Sequence, residues 1–283
     1  MLTAAHTAPQ PRRRGLTAMA DTVLYEVAEG LATITLNRPE AMNALDNETK
    51  DALRDTLREA AADQSVRAVL LTATGRAFCV GQDLKEHVGT LRQPSAPGGK
   101  TMSTVQEHYN PIVTAIATMP KPVVAGVNGV AAGAGAGFAF AADYRVVADS
   151  ASFNTSFAGV ALTADSGASW TLPRLVGPAR AADLLMFPRK ITAREAFELG
   201  IAQKVVPAEE LPATALAVAR ELAEGPTVAY AAIKESLAYG ASHSLVDTLA
   251  KEDELQERAG TSADHRIAVE AFLNKERPKY IGR

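Results

Sequence analysis

The apolar and polar positions fall into short extended runs first and long helical ones later. Residues 22–27 and 31–36 read as two strands, and Ala28-Glu29-Gly30 between them is a hairpin signal. Asn37-Arg38-Pro39-Glu40 breaks that pattern. Asp46 is placed to cap a helix over 47–62, with Leu53, Leu57 and Ala60 on one face. Lys50, Arg54 and Arg58 share another face, and the acids interleaved with them make it read as solvated. Residues 66–73 form a buried strand in this reading. Gly75 then marks a turn, Gly81 permits a close backbone approach, and Asp83 with Glu86 has the spacing of a capping box at a short helix. Residues 87–102, with Pro94, Pro97, Gly98 and Gly99, read as loop. Ser103 and Gln106 form a second capping box before a helix to about 117, in which Pro111 predicts a kink.

The centre of the chain is the stretch 121–143, KPVVAGVNGVAAGAGAGFAFAAD. Its β-branched run 122–127 reads as a buried strand and Asn128-Gly129 as a turn. Gly133, Gly135 and Gly137 then alternate with Ala134 and Ala136 before an apolar helix start at 138–142. Residues 144–148 read as a strand and 152–153 as a short extended piece. From 178 onward the pattern is helical, with breaks at Leu199-Gly200, at Val205-Val206-Pro207 and at Gly225-Pro226. The order predicts an α/β core with a helical C-terminal layer. The expected division is a leader over 1–20, the core over 21–200 and the helical region over 201–283.

Composition changes this picture little. Of 283 residues 47% are hydrophobic and 22% charged, as in ordinary globular chains. The net charge of −3 becomes more acidic once Arg12, Arg13 and Arg14 of the leader are set aside, which argues against nucleic acid as a partner. The single cysteine excludes an intrachain disulfide framework and fits a reducing, cytoplasmic compartment. No apolar run is long enough to span a membrane. The leader reads as unstructured and lacks a signal-peptide core, and Met19 reads as an alternative start.

The glycine-rich turn is the candidate chemistry. A turn opening a helix offers unpaired N–H groups and partial positive charge to a phosphate or a developing oxyanion. The dinucleotide fingerprint fails, because Phe138 stands where the third glycine belongs, and no Gly-Lys-Ser/Thr is present. Gln82, at the mouth of the short helix, is a candidate second N–H donor. No histidines have metal-ligand spacing. His108 reads as a surface or satisfied core residue, Cys79 as a buried filler, and Gly-x-Ser-x-Gly is absent.

The segments LNRPEAMNAL (36–45), GRAFCVGQDLKE (75–86), KPVVAGVNGVAAGAGAG (121–137), ADSGASWTLPRLVG (164–177) and AFLNKERPKY (271–280), in this order, resemble the crotonase superfamily of enoyl-CoA hydratases and isomerases. The resemblance covers about 22–283. It implies a core of repeated ββα units in two roughly perpendicular sheets, a C-terminal helical trimerisation region, and a homotrimer or dimer of trimers. It implies an acyl-CoA thioester as substrate, with coenzyme A part of that substrate and no separate cofactor or metal. The thioester oxygen would lie between the backbone N–H groups of Gln82 and Ala134. Gly133 lies beside that site. Ala41, Val80, Asp83 and Leu84 would line the coenzyme A path, and Lys275 or Lys279 would meet its phosphates.

Hydratases of this family use two glutamates. Their positions here hold Gly137 and Phe157. The remaining carboxylate, Asp165, lies in a segment that most resembles the ring-1,2-epoxyphenylacetyl-CoA isomerase and Δ3,Δ2-enoyl-CoA isomerase branch, where the equivalent aspartate is the acid/base. That implies an isomerase in which Asp165 moves a proton, with Phe138, Phe157 and Trp170 as apolar walls. The alternatives are a 2-enoyl-CoA hydratase, a catalytically silent acyl-CoA-binding homologue, and an Asp165 that only caps the following helix.

Overall fold

The computed structural model describes residues 12–13, 21–91 and 102–283; the rest of the predicted leader and of the predicted 87–102 loop lies outside them. The chain opens with β1 (Arg12–Arg13), β2 (Val23–Ala28) and β3 (Leu31–Leu36), joined in antiparallel register. So Arg12 and Arg13, expected in an unstructured leader, pair with Val27 and Glu26 at the sheet edge. Helix α1 (Asn47–Ala62) has the predicted bounds. Asp46 accepts from the Thr49 N–H at 2.9 Å, and Leu53, Leu57 and Ala60 are fully buried.

A strand-strand-helix unit then repeats three times. It comprises β4 (Ala68–Ala73), β5 (Ala77–Cys79) and α2 (Leu84–Leu91), and after α3 (Asn110–Thr118) it comprises β6 (Val123–Val127), β7 (Val130–Ala132) and α4 (Ala134–Ala141). The third is β8 (Tyr144–Ala148), β9 (Ser152–Asn154) and α5 (Ala168–Val176). Each unit sends its first strand into a large sheet and its second into a small one. After α6 (Pro178–Met186), β10 (Ile191–Thr192), α7 (Ala193–Glu198) and β11 (Lys204–Val206) complete them. The large sheet runs β1-β2-β3-β4-β6-β8-β11 and the small one β10-β9-β7-β5. All five residues of β6 are buried, as a parallel strand covered on both faces requires. Helices α8 (Leu211–Glu224), α9 (Thr227–Gly240), α10 (Leu245–Gly260) and α11 (Ala263–Asn274) follow.

Four sequence expectations are corrected here. Val205-Val206, read as a break, is part of β11 and extends the large sheet parallel to β8. Residues 87–91, read as loop, continue α2. Ser103 is already helical rather than preceding the helix. Lys50, read as solvated, is 1% exposed and donates to Glu86 Oε1 and Thr104 Oγ1, each at 3.1 Å. Glu86 also accepts from the Asn47 N–H at 2.9 Å, so it reaches across to the start of α1. This ties α1, α2 and the helical segment at 104 together. Removing the acid would leave a buried ammonium uncompensated. Glu86→Ala is expected to cost about 2–3 kcal/mol in chemical denaturation, less than a fully buried pair because the Glu86 side chain is 27% exposed. Adding Lys50→Met should recover part of the loss; no recovery would show that the pair is not its source.

Helix α4 is anchored at its C-terminal end by a buried cation. Arg145, on β8, donates to the carbonyls of Ala139 (3.2 Å), Phe140 (3.3 Å) and Ala142 at this end and to Ile201 O (2.5 Å) between α7 and β11. The first three carbonyls belong to the last turn and cap of α4, where helical partners run out, and the charge opposes the negative end of the dipole. Burial lowers the Arg145 pKa to about 10 even with Asp143 nearby.

Candidate oxyanion site

Gly133, with φ of 51° and ψ of −121°, turns the chain from β7 into α4, so Ala134 is the first helical residue. Its N–H heads a dipole aligned along the helix. The second amide comes from the segment after β5. Leu45 and Gln82 form an isolated parallel bridge in which Leu45 N–H donates to Gly81 O and Asp83 N–H donates to Leu45 O. That pattern leaves the Gln82 N–H on the opposite side of the strand. Among the described residues, neither the Gln82 nor the Ala134 N–H has an acceptor.

The two segments touch. Gly81 has φ of 85°, and a Cβ there would lie 3.0 Å from Ala132 O and 3.4 Å from Ala134 N. A Cβ on Gly135 would lie 2.7 Å from the Cys79 Cβ. The glycines are therefore required for α4 to start against β5. Cys79 is fully buried in this contact, and burial pushes its thiol up to about 12, so it is an inert filler.

Residues 38–46 brace the Gln82 side. Asn43, fully buried at φ of 55°, donates to Thr74 O (2.9 Å) and Ala77 O (2.8 Å) and accepts from the Arg38 N–H. Arg38 forms ion pairs with Asp46 (2.9 Å) and Asp83 (3.3 Å). Asp83 also accepts from the Lys85 N–H at 3.0 Å, the helix-capping role expected of it. Burial alone would raise its carboxyl, but the amides of Lys85 and Glu86 and the Arg38 guanidinium hold it below the usual range. Arg38 and Asn43 carried no signal in the sequence, because their partners lie up to 45 residues away.

Asp165 lies on the turn before α5. Asp165 O accepts the Ala168 N–H at 2.9 Å, closing a tight turn whose central residues, Ser166 and Gly167, have φ of 49° and 71°. A serine held there is strained backbone. Ser166 is also packed on α4: a Cβ on Gly137 would lie 2.5 Å from Ser166 O and 2.7 Å from its Cβ. The Asp165 side chain does not cap α5, whose N-cap is Gly167 with no side-chain cap bond. It is part-buried and accepts from Ser166 Oγ at 2.8 Å. Burial raises its carboxyl above the usual range, against the pull of that hydroxyl.

The expected walls separate. Phe138 is fully buried and Phe157 nearly so, at 7% exposure. Trp170 is 44% exposed and carries the Arg174 guanidinium 4.0 Å over its ring, so within this chain it is not a closed wall. On the proposed coenzyme A path, Ala41 ends a 3-10 turn, Val80 is part-buried, and Leu84 is 70% exposed at the start of α2. Lys275 is exposed, at φ of 57° directly after α11. His108 points away from the site, to Asp51 (3.3 Å) and Thr104 (3.1 Å). Its neighbour Tyr109, which the sequence did not single out, is 2% exposed, donates from its hydroxyl to Gln82 Oε1, and packs edge-on against Phe138.

The structure thus brings together two segments with unpaired backbone N–H groups, on a scaffold of ββα units, and packs the turn that carries a part-buried carboxylate against α4. Comparison with known proteins gives the family. The family model described as enoyl-CoA hydratase/isomerase matches residues 26–283, and the chain belongs to that family. A Rhodobacter capsulatus protein named probable enoyl-CoA hydratase is 44% identical over 263 residues, covering 93% of this chain and 98% of that one. The 1,2-epoxyphenylacetyl-CoA isomerase of Escherichia coli is 39% identical over 265 residues, covering 94% and 100%. The crystal structure of a Mycobacterium abscessus protein assigned to the enoyl-CoA hydratases/isomerases superposes with a TM-score of 0.88 at 44% identity, covering 92% and 100%. Among the described residues no helix is long and apolar enough to cross a membrane, and no cluster of metal-binding side chains is present.

Proposed function

We propose that the chain is an acyl-CoA isomerase. The thioester oxygen accepts from the N–H groups of Gln82 and Ala134. Asp165 removes a proton from C2 of the acyl chain, the negative charge passes to the thioester oxygen, and the protonated Asp165 returns the proton further along at C4. The substrate of this step is a 3-enoyl-CoA; a ring epoxide of the phenylacetyl-CoA type, in line with the relative from Escherichia coli, is the second candidate and shares only the removal of the C2 proton. Coenzyme A enters as part of the substrate, past Ala41, Val80 and Leu84, with Lys275 as a candidate phosphate contact. The assembly we propose is a homotrimer or dimer of trimers; it would cover Leu237, Leu245, Val246, Phe272 and Leu273, each more than 70% exposed on the last three helices.

The observation that carries the reading is the contact between Gly137 and Ser166. It sets the Asp165 turn against the start of α4 and leaves no room for a side chain at 137, where the resemblance expects a hydratase's first glutamate. An isomerase needs one acid/base group, whereas splitting water across a double bond uses two. Purified protein with a 3-enoyl-CoA should yield the conjugated 2-enoyl-CoA, read by its absorbance. Faster hydration of crotonyl-CoA would favour the hydratase, and thioester binding without turnover of any substrate would favour a silent homologue. Asp165 must be ionised to accept the proton, and burial raises its pKa. Thus kcat/KM should fall with decreasing pH along a limb centred above the ordinary aspartate value of about 4. A limb at or below that value would contradict Asp165 as the base.

A further inference from the structure

We propose that Tyr109 is a positioning residue for the oxyanion site: its hydroxyl fixes the Gln82 side chain, and through it the Gln82 backbone N–H. This rests on the proposed enolate chemistry at Gln82 and Ala134. Gln82 lies outside any named strand, and the bridge to Leu45 holds the main chain on either side of it, through Gly81 O and the Asp83 N–H. The Gln82 N–H therefore has its direction set by a short irregular segment, between a glycine at φ of 85° and the start of α2. The Tyr109 O–H donating to Gln82 Oε1 is a second tether on that segment, from an element 27 residues away in sequence.

The tyrosine is itself rigidly placed. It ends a five-residue π-helical segment, Val105–Tyr109, immediately before α3, in which Pro111 occupies the first turn. Proline has no N–H to give, and the wider π turn absorbs that break in the helix. The turn directs His108 to Asp51 and Thr104 and Tyr109 to Gln82. Thr104 in turn receives the buried Lys50 ammonium. Phe138, one turn into α4, meets the Tyr109 ring edge-on at 6.1 Å, so the same side chain touches the helix that carries Ala134 and the loop that carries Gln82. Burial, reinforced by the negative charge of Asp165, raises the phenol pKa. The hydroxyl thus stays protonated and remains a donor while Asp165 changes charge.

The test uses full-length protein and acetoacetyl-CoA, a thioester whose enolate absorbs in the near ultraviolet. Bound between two N–H donors, it should ionise at lower pH than in water. Tyr109→Phe should move that ionisation upward by about one pH unit, equivalent to a tenfold loss of enolate stabilisation, and lower kcat on 3-enoyl-CoA about tenfold with KM little changed. Gln82→Met, which keeps the backbone N–H and removes the acceptor, should give the same shift even if Tyr109→Phe folds poorly. The double variant should be no worse than either single one, because both break one contact. Wild-type ionisation in Tyr109→Phe, or losses that multiply in the double variant, would overturn the proposal. So would a wild-type protein that does not lower the ionisation of acetoacetyl-CoA, and the oxyanion reading would fail with it. A wild-type protein that ionises this ligand yet turns over no 3-enoyl-CoA would reject the isomerase alone, leaving the Tyr109 shift as the readout.

Discussion

Asp165→Asn is expected to lower isomerisation of a 3-enoyl-CoA by about 10²–10⁴-fold, the range spanned by positioned acid/base groups. The substitution is nearly isosteric. Ser166 Oγ can still donate to the remaining side-chain oxygen, and the turn closed by Ala168 N–H and Asp165 O involves backbone only. Folding and thioester binding should therefore survive. Proton transfer should not, because an amide has no basic site near neutral pH. The backbone donors would be untouched, so the variant should still perturb the spectrum of acetoacetyl-CoA as wild type does. That combination separates a proton carrier from a structural carboxylate. If turnover persists within tenfold of wild type, another group moves the proton and the assignment of Asp165 fails.

The parts of this site that were legible in the sequence are those fixed by local rules. Asp46 and the spacing of Leu53, Leu57 and Ala60 define α1 without reference to the rest of the molecule. Gly81, Gly135 and Gly137 announced close backbone contact because no other residue tolerates it, and each has a neighbour where its Cβ would go. What sequence alone missed depends on distant partners. Strands β5 and β7 are three residues each, too short for a periodic signal, and exist through pairing with each other and with β9. Lys50 lies on a helix face that charge spacing alone marks as solvated; Glu86, 36 residues later, turns that face inward. His108 is the satisfied residue its isolation suggested, while Tyr109 beside it carried no signal of its own. The π turn before Pro111 decides which of them faces the site, and a proline in a sequence signals a disturbance without its phase.

Gly137→Glu, which puts a carboxylate where the resemblance places a hydratase's first glutamate, is expected to yield a destabilised protein without hydratase activity. The position is in the first turn and a half of α4, fully enclosed, with Ser166 O 2.5 Å and Ser166 Cβ 2.7 Å from where a Cβ would sit. Both obstacles belong to a turn already strained at φ of 49°, and Val113 Cγ1 lies 2.7 Å from where a Cβ on Gly167 would sit, so the turn has no room to retreat. A methylene there must push the Asp165 turn off the helix or unwind α4 from Ala134. Either movement disturbs the proposed oxyanion site, and the glutamate adds a charge at an enclosed position. The expected cost is about 3 kcal/mol or more, at the upper end of overpacking effects, which for a domain of this size lowers Tm by roughly 6 °C or more. Isomerisation should fall together with stability. Thermal denaturation and the crotonyl-CoA assay on the same preparation decide the matter. A Gly137→Glu protein with the wild-type Tm that hydrates crotonyl-CoA would show that the Asp165 turn yields freely, and that a single side chain separates the two chemistries on this scaffold.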